Sequence, residues 1–211
     1  MLRWKELKEE VNVCTKCELY KNKTNIVFGE GNIKAKLMFV GEAPGADEDR
    51  TGRPFVGRAG QLLTKALSAL DIKRESDYYI CNVCKCRPEN NRTPVEEEAI
   101  TCIPYLRNQV ALVNPKIIVC LGAVSMKYVM QEAIKNNSDF LDDRERELWS
   151  EVLKTGIMKI SRDRGKWVKI RNFNMMATFH PAALFRDESK KKLFWQDLKA
   201  MKEKMEEVNR D

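Results

Sequence analysis

Four short apolar segments alternate along the chain with stretches whose apolar residues recur at helical spacing. Each segment runs into glycine, proline or polar residues, which is typical of a buried strand that delivers a loop. Strands that alternate with helices predict a mostly parallel, doubly wound sheet with helices on both faces. We therefore expect a three-layer α/β sandwich with a central four-stranded sheet, its strands at Lys36–Gly41, Tyr78–Val83, Lys116–Leu121 and Met175–Phe179.

The helices are predicted from apolar spacing and from capping residues. Thr93 is expected to cap a helix that starts at Pro94, with Glu96 closing a capping box, and Pro104 to bend or shorten that helix. Further helices are expected at residues 2–12 (through Leu2, Leu7 and Val11), 59–70, 123–134 and 188–208, and an edge strand within Ser161–Ile170.

The size of the chain favours a single domain. Its 211 residues, of which 43% are hydrophobic, suffice for one continuous core. Residues 135–154 turn polar and charged, so we expect them to form a surface insertion in the domain that spans residues 1–211.

The charge and the hydropathy restrict location and partners. Lys and Arg exceed Asp and Glu by 38 to 31, and the net charge of +7 favours polyanionic partners. The N-terminus lacks the apolar core of a signal peptide, and no apolar run approaches the roughly 20 residues of a membrane span. We expect a soluble cytoplasmic protein without membrane contact.

The cysteines suggest a metal site. Cys14 and Cys17 form a C-x2-C pair, while Cys86 and Cys102 are predicted to lie in a loop and a helix. Four such thiolates suit a [4Fe-4S] cluster, but spacing alone leaves zinc and unbound thiols open.

A second close pair, Cys81-x2-Cys84, is less suited to metal binding. It lies on the second predicted strand, where the two residues should face opposite sides of the sheet. Cys81, Cys84 and Cys120 are more simply explained as small buried side chains.

Candidate functional loops follow three of the strands. In an open α/β sheet, ligands bind beyond the carboxyl ends of the strands. The segment GEAPG begins at Gly41, Asn82 ends the second strand, and His180, the only histidine, follows the fourth. Phe55 lies in the glycine-rich loop, either as a plug anchoring the loop to the core or as a stacking platform for a base.

The segments GEAPGADEDRTGRPFVGRAGQLL, NVCKCRPENNRTP and FHPAALFR occur in this order, after the C-x2-C pair. Together they closely resemble the family 4 uracil-DNA glycosylases, iron-sulfur enzymes found chiefly in thermophilic bacteria and archaea. The resemblance covers nearly the whole chain. It implies hydrolysis of the N-glycosidic bond of a flipped uracil, leaving free uracil and an abasic site for base excision repair.

The resemblance also implies roles for individual residues. Phe55 would stack on uracil, Asn82 would pair with its O4 and N3–H edge, and Glu48 would exclude the methyl group of thymine. The backbone of Gly41–Ala43 would complete the uracil contacts.

Catalysis is assigned by the same resemblance. His180 would donate a hydrogen bond to uracil O2, and Glu42 would hold or activate the water. Better-known branches of the superfamily carry aspartate where this chain has Ala43, so the water-activating group is the weakest part of the assignment.

The resemblance makes Leu184 an apolar wedge in DNA and Arg186 a phosphate contact, with loop packing and surface charge as the alternatives. It assigns Cys14, Cys17, Cys86 and Cys102 to a structural [4Fe-4S] cluster. The expected partner is uracil-containing DNA, single- or double-stranded, with a sliding clamp or another repair protein as a further candidate. The protein is expected to be a monomer.

Two other classes of protein compete with this interpretation. A non-enzymatic iron-sulfur carrier or DNA-binding module would explain the cysteines and the charge, but not Phe55, Asn82 and His180 at one sheet edge. A nucleotide-metabolising enzyme could use GEAPG as a phosphate cradle, but the loop lacks the lysine and serine or threonine of a P-loop and is acidic.

Overall fold

A computed structural model describes residues 3–210 of the chain. Its centre is a six-stranded sheet. The strands are β1 (Glu30–Gly31), β2 (Leu37–Gly41), β3 (Tyr78–Asn82), β4 (Ile117–Leu121), β5 (Trp167–Ile170) and β6 (Phe173–Thr178). They lie side by side in the order β1-β3-β2-β4-β6-β5.

The four predicted strands form the parallel centre of this sheet, β3-β2-β4-β6. The predicted number of four is wrong, because an antiparallel strand extends the sheet at each edge. β5 is the edge strand expected within Ser161–Ile170, whereas β1 has only two residues and no apolar pattern that would reveal it. The α/β class and the parallel centre are confirmed.

Helices cover both faces of the sheet. On β2, Met38 and Val40 belong to one buried cluster, and Leu37 and Phe39 belong to another on the opposite face. This division gives the expected three layers. The helices are Trp4–Asn12, Ala46–Thr51, Arg58–Ser68, Glu96–Val113, a continuous helix at 123–136, Asp143–Leu148, Ser150–Thr155, Ile160–Asp163 and Ser189–Arg210.

Several helix boundaries differ from the prediction. The helix expected at Pro94 begins at Glu96. Its N-cap is Val95, and the Val95 N–H donates to the carboxylate of Glu98 and not, as predicted, to that of Glu96. The helix also continues past Pro104 to Val113, so it is not shortened. The helix at 123–136 contains a π-helical stretch, Met126–Gln131. Leu2 lies outside the described residues.

The polar segment 135–154 carries two short helices around Trp149, which is completely buried. Its indole lies in the same hydrophobic cluster as Met38 and Val40. The segment therefore contributes an anchor to the core in addition to its charged surface. No helix within residues 3–210 has the length and apolar character needed to cross a membrane.

Candidate active site

A cavity of about 460 Å³ opens at the carboxyl edge of the sheet. Its walls come from the loops after β2, β3 and β6, which is where a doubly wound sheet binds ligands. The structure brings together in this cavity most of the residues predicted to form the site: Glu42, Ala43, Glu48, Phe55, Asn82, His180 and Arg186.

Asn82 and Gly41 lie side by side at the ends of β3 and β2. The Asn82 Oδ1 atom is buried and has no hydrogen-bond partner within the described chain. A Cβ atom placed on Gly41 would lie 2.4 Å from Oδ1 and 2.5 Å from Cζ of Phe55. Glycine therefore keeps open a narrow slot between an unused acceptor and an aromatic ring.

Phe55 lies between Pro54 and Val56 in the loop that leads to the Arg58–Ser68 helix, and its side chain is buried. Its ring centroid is 5.9 Å from that of His180, with an interplanar angle of 36°. The backbone of Phe55 adopts the left-handed conformation, with φ of 53°, which is unusual for a residue other than glycine. An aromatic ring lining a slot is suited to stack on a planar ligand.

His180 follows β6 and is held by its own loop. Its Nδ1 accepts a hydrogen bond from the Ala182 N–H at 3.2 Å, so Nδ1 is unprotonated and the proton of a neutral ring is on Nε2. Burial lowers the pKa of His180 to about 4, with Glu48 opposing and Arg186 adding to the shift. His180 therefore enters the cavity as a neutral hydrogen-bond donor at physiological pH.

Glu42 is a partly buried carboxylate on the cavity wall. Burial raises its pKa, while the neighbouring Thr93 side chain and the positive charge of Arg186 act in the opposite direction. A raised pKa makes a carboxylate a better acceptor for a proton from water. Glu42 thus binds a proton more readily than an exposed carboxylate does.

Glu48 accepts hydrogen bonds from the main chain of the loop that carries Phe55. One carboxylate oxygen accepts from the N–H groups of Val56 and Gly57 at 2.9 and 2.8 Å, and the other accepts from Gly45 at 3.2 Å. These bonds hold the carboxylate at the cavity wall. No pattern in the sequence indicated that Glu48 would stabilise this loop.

The structure buries Leu184, the residue that the resemblance makes a wedge in DNA. The side chain is 1% exposed and packs in a core cluster, because the turn Pro181–Phe185 directs it inward. The next residue, Phe185, is 47% exposed, and the Arg58 guanidinium lies 4.9 Å from its ring centroid. In this conformation, therefore, Phe185 and not Leu184 presents an apolar side chain on the surface.

The four predicted metal ligands line a second, smaller cavity: Cys14, Cys17, Cys86 and Cys102. All four are free thiols. Among residues 3–210, no three His, Cys, Asp or Glu side chains converge on a single ion position. The four cysteines therefore share one cavity without forming a site for a single ion.

The remaining cysteines are buried. Cys81 and Cys120 lie inside β3 and β4. Cys84 lies beyond the end of β3 and belongs to the same core cluster as Cys81, so the expectation that the two face opposite sides of the sheet is wrong. Cys84 lies beside Cys102, and its hydrogen bond lowers the pKa of the Cys102 thiol, favouring the thiolate.

Part of the cavity wall was not anticipated from the sequence. The loop between β3 and the Glu96–Val113 helix contributes Pro88, Asn91, Arg92 and Thr93. Thr93 was expected to cap the helix, and nothing else about it pointed to the site. The one clue that this loop reaches the site was the polar, proline-containing composition of the segment CRPENNRTP.

Comparison with known proteins identifies the class. Residues 28–199 match the model of the uracil DNA glycosylase superfamily. The chain is 44% identical over 181 residues to a type-4 uracil-DNA glycosylase of Thermotoga maritima, covering 86% of this chain and 82% of the relative. A type-4 uracil-DNA glycosylase of Sulfurisphaera tokodaii is 41% identical, over 94% of this chain and 83% of the relative. A type-4 enzyme of Pyrobaculum aerophilum is 43% identical, over 92% of this chain and 90% of the relative.

The chain therefore belongs to the uracil-DNA glycosylase superfamily. Within the superfamily it is a member of the type-4 family.

Proposed function

We infer that this protein is a uracil-DNA glycosylase that flips uracil out of DNA and hydrolyses its N-glycosidic bond, which initiates base excision repair. The observation that carries the site assignment is the unpartnered, buried Oδ1 of Asn82 in the slot beside Phe55. An orphaned acceptor in a protein interior is costly unless a ligand satisfies it. The N3–H group of uracil supplies the missing donor.

Base selection follows from the chemistry of this slot. The Asn82 amide offers an acceptor for N3–H and a donor for O4 of uracil, while cytosine presents the opposite pattern on that edge. Phe55 stacks on the base, and Glu48 occupies the space that the methyl group of thymine would need. The backbone of Gly41–Ala43 completes the contacts with the base.

Hydrolysis breaks the N1–C1′ bond, and its electron pair leaves with uracil. His180 donates its Nε2–H to uracil O2, a hydrogen bond that strengthens as negative charge develops. Glu42 holds a water against C1′ and accepts its proton as the new C–O bond forms. The departing uracil anion then takes a proton from solvent. The residue at the position of the usual aspartate is Ala43, which has no group for this task, so Glu42 is the base we propose.

Contact with DNA is proposed for the rim of the cavity. Arg186 supplies a positive charge for a phosphate. The resemblance assigned Leu184 as the wedge, but its burial leads us to propose Phe185, which is exposed in the same turn. The net charge of +7 adds a general attraction to the polyanion.

We propose that Cys14, Cys17, Cys86 and Cys102 hold a [4Fe-4S] cluster with a structural role. The four cysteines line one cavity, and four thiolates are the ligand set that such a cluster would take. The buried Lys85 on the cavity wall supports an anionic centre, because its ammonium group donates hydrogen bonds to the neutral Asn82 O and Gln109 Oε1, both at 2.6 Å, and forms no ion pair with a carboxylate within residues 3–210.

The activity is tested with a purified protein and an oligonucleotide that contains one uracil. We expect free uracil and an intact strand with an abasic site, which alkali then cleaves. A matched oligonucleotide with thymine or cytosine in place of uracil is the control. Absence of uracil release from both single- and double-stranded substrates, with the metal centre intact, would refute the proposal.

The metal centre is tested separately on anaerobically purified protein. We expect a broad absorbance at about 400 nm and about four irons per chain. Cys81→Ser, which changes a cysteine outside the cavity, should retain the iron, whereas Cys102→Ser should lose it. Stoichiometric zinc without iron would contradict the assignment.

We also propose that residues 1–211 form one glycosylase domain in which residues 135–154 are an insertion. The single continuous sheet supports the first part. The monomeric state, the sliding-clamp partner and the cytoplasmic location stay predictions.

A further inference from the structure

The loop that carries Phe55 is held in an unfavourable backbone conformation. A left-handed φ of 53° brings the Cβ of an L-residue close to its own backbone, so other contacts must hold it in place. Phe55 belongs to no helix or strand that could supply them. The contacts that hold its main chain therefore decide where its ring lies.

Arg74 makes two of these contacts from outside the cavity. Its Nη1 donates to the carbonyl of Pro54 at 2.8 Å, and its Nη2 donates to the carbonyl of Phe55 at 2.9 Å. The side chain is only 10% exposed, and its guanidinium lies 3.6 Å from the carboxylate of Glu30. The planar guanidinium can bind two consecutive carbonyls in this way because its N–H donors have a fixed separation. The single nitrogen of a lysine ammonium group does not offer that geometry.

Gly60 supports the same main chain from the Arg58–Ser68 helix. A Cβ atom on Gly60 would lie 2.1 Å from both the C and O atoms of Phe55, so the helix backbone touches the loop directly. The Phe55 main chain is thus clamped between Gly60 and Arg74, while its ring lines the base slot.

We propose that Arg74 is a positioning residue that fixes the aromatic platform for the flipped base. It is not among the residues that line the cavity. Its route to the cavity runs through the Phe55 loop, because its two shortest side-chain hydrogen bonds end on the carbonyls of Pro54 and Phe55. This inference rests on the proposed glycosylase function.

The test compares Arg74→Met with Arg53→Met as the matched control. Arg53 binds the same Glu30 carboxylate with two hydrogen bonds of 2.8 Å but makes no side-chain bond to the Phe55 loop within the described structure. The readouts are kcat/KM for a uracil-containing oligonucleotide and the inhibition constant of free uracil, which reports the platform without DNA.

For Arg74→Met we expect kcat/KM to fall, and the inhibition constant of uracil to rise, by about fivefold or more, the lower end of what one base stack contributes. Arg53→Met should stay within about twofold of wild type, and Arg74→Lys should lie between the two. In a Phe55→Ala background, Arg74→Met should add less than about twofold, because the platform is already absent.

Two results would overturn the proposal. One is an Arg74→Met substitution that changes kcat/KM equally in the wild-type and the Phe55→Ala backgrounds. The other is an Arg74→Met enzyme whose kcat/KM and uracil inhibition constant match those of Arg53→Met. If Arg74→Met fails to fold, Arg74→Lys provides the same comparison. Absence of uracil release by the wild-type enzyme would instead refute the proposed function, so the two failures are distinguishable.

Discussion

His180 offers a direct test of how the cavity controls charge, because it is the only histidine in the chain. Burial lowers its pKa to about 4, so the ring should be neutral from about pH 5 upwards. A neutral ring can stabilise the developing uracil anion only as a hydrogen-bond donor through Nε2–H. We therefore expect no loss of activity on raising the pH through 6.5, where an ordinary imidazolium would deprotonate.

The same shift has a calculable effect on stability. In the unfolded chain His180 binds a proton below about pH 6.5, while the folded protein resists that proton down to about pH 4. Between these limits the unfolded state binds more protons than the folded state. Protonation of His180 therefore leaves the free energy of unfolding unchanged well above pH 6.5 and lowers it as the pH falls below that value. From about pH 7.5 to about pH 5.5 the loss amounts to about 1.3 kcal/mol in the free energy of unfolding.

Urea denaturation of wild type and His180→Asn at both pH values measures this difference. Carboxyl groups with lowered pKa, such as Glu30 and Glu98, lose stability with falling pH in both proteins and cancel in the comparison. The single imidazole signal in a proton NMR titration gives the pKa independently. A midpoint near the ordinary value of 6.5, together with equal pH dependence in the two proteins, would refute the reasoning.

Burial and bonding elsewhere in the chain lead to three more predictions. Asn82→Asp should raise release of cytosine relative to uracil, because a carboxylate can accept from the exocyclic amine; unchanged selectivity in a competition assay would contradict base reading by Asn82. Leu184→Ala should lower the free energy of unfolding by about 2–5 kcal/mol, whereas Phe185→Ala should leave it nearly unchanged. Phe185→Ala should instead lower activity, and more on double-stranded than on single-stranded DNA. Asp197→Ala should cost about 3–5 kcal/mol, because it leaves the Arg164 guanidinium without its buried partner; a loss below about 1 kcal/mol would contradict this.

The parallel centre of the sheet was predictable because apolar runs and helical spacing alternate in the sequence. That alternation also brings the ends of β2, β3 and β6 to one edge, so Gly41, Asn82 and His180 could be grouped from the sequence alone. The strand β1 could not be predicted, because its pairing with β3 is set by tertiary structure and not by any pattern in two residues.

The packing around the site was not predictable from the sequence. Leu184 and Phe185 are adjacent apolar residues, and only the direction of the turn decides that one is buried and the other exposed. Arg74 is far from Phe55 along the chain and lies among other charged residues, so nothing local links it to the loop. Such contacts depend on how elements pack, which local pattern does not encode.

The base slot and the cysteine cavity are joined by the short segment from Asn82 to Cys86. Lys85 Nζ donates to the Asn82 carbonyl at 2.6 Å, and the Lys85 carbonyl accepts from Val27 N–H at 2.8 Å, next to the N-terminal segment that carries Cys14. Lys85 is 1% exposed, so its side chain is almost completely shielded from water, and an anionic centre in the cysteine cavity would stabilise its ammonium group. The cysteine cavity and the strand end that carries Asn82 are thus connected through Lys85, so we expect removal of the proposed cluster to weaken uracil binding as well.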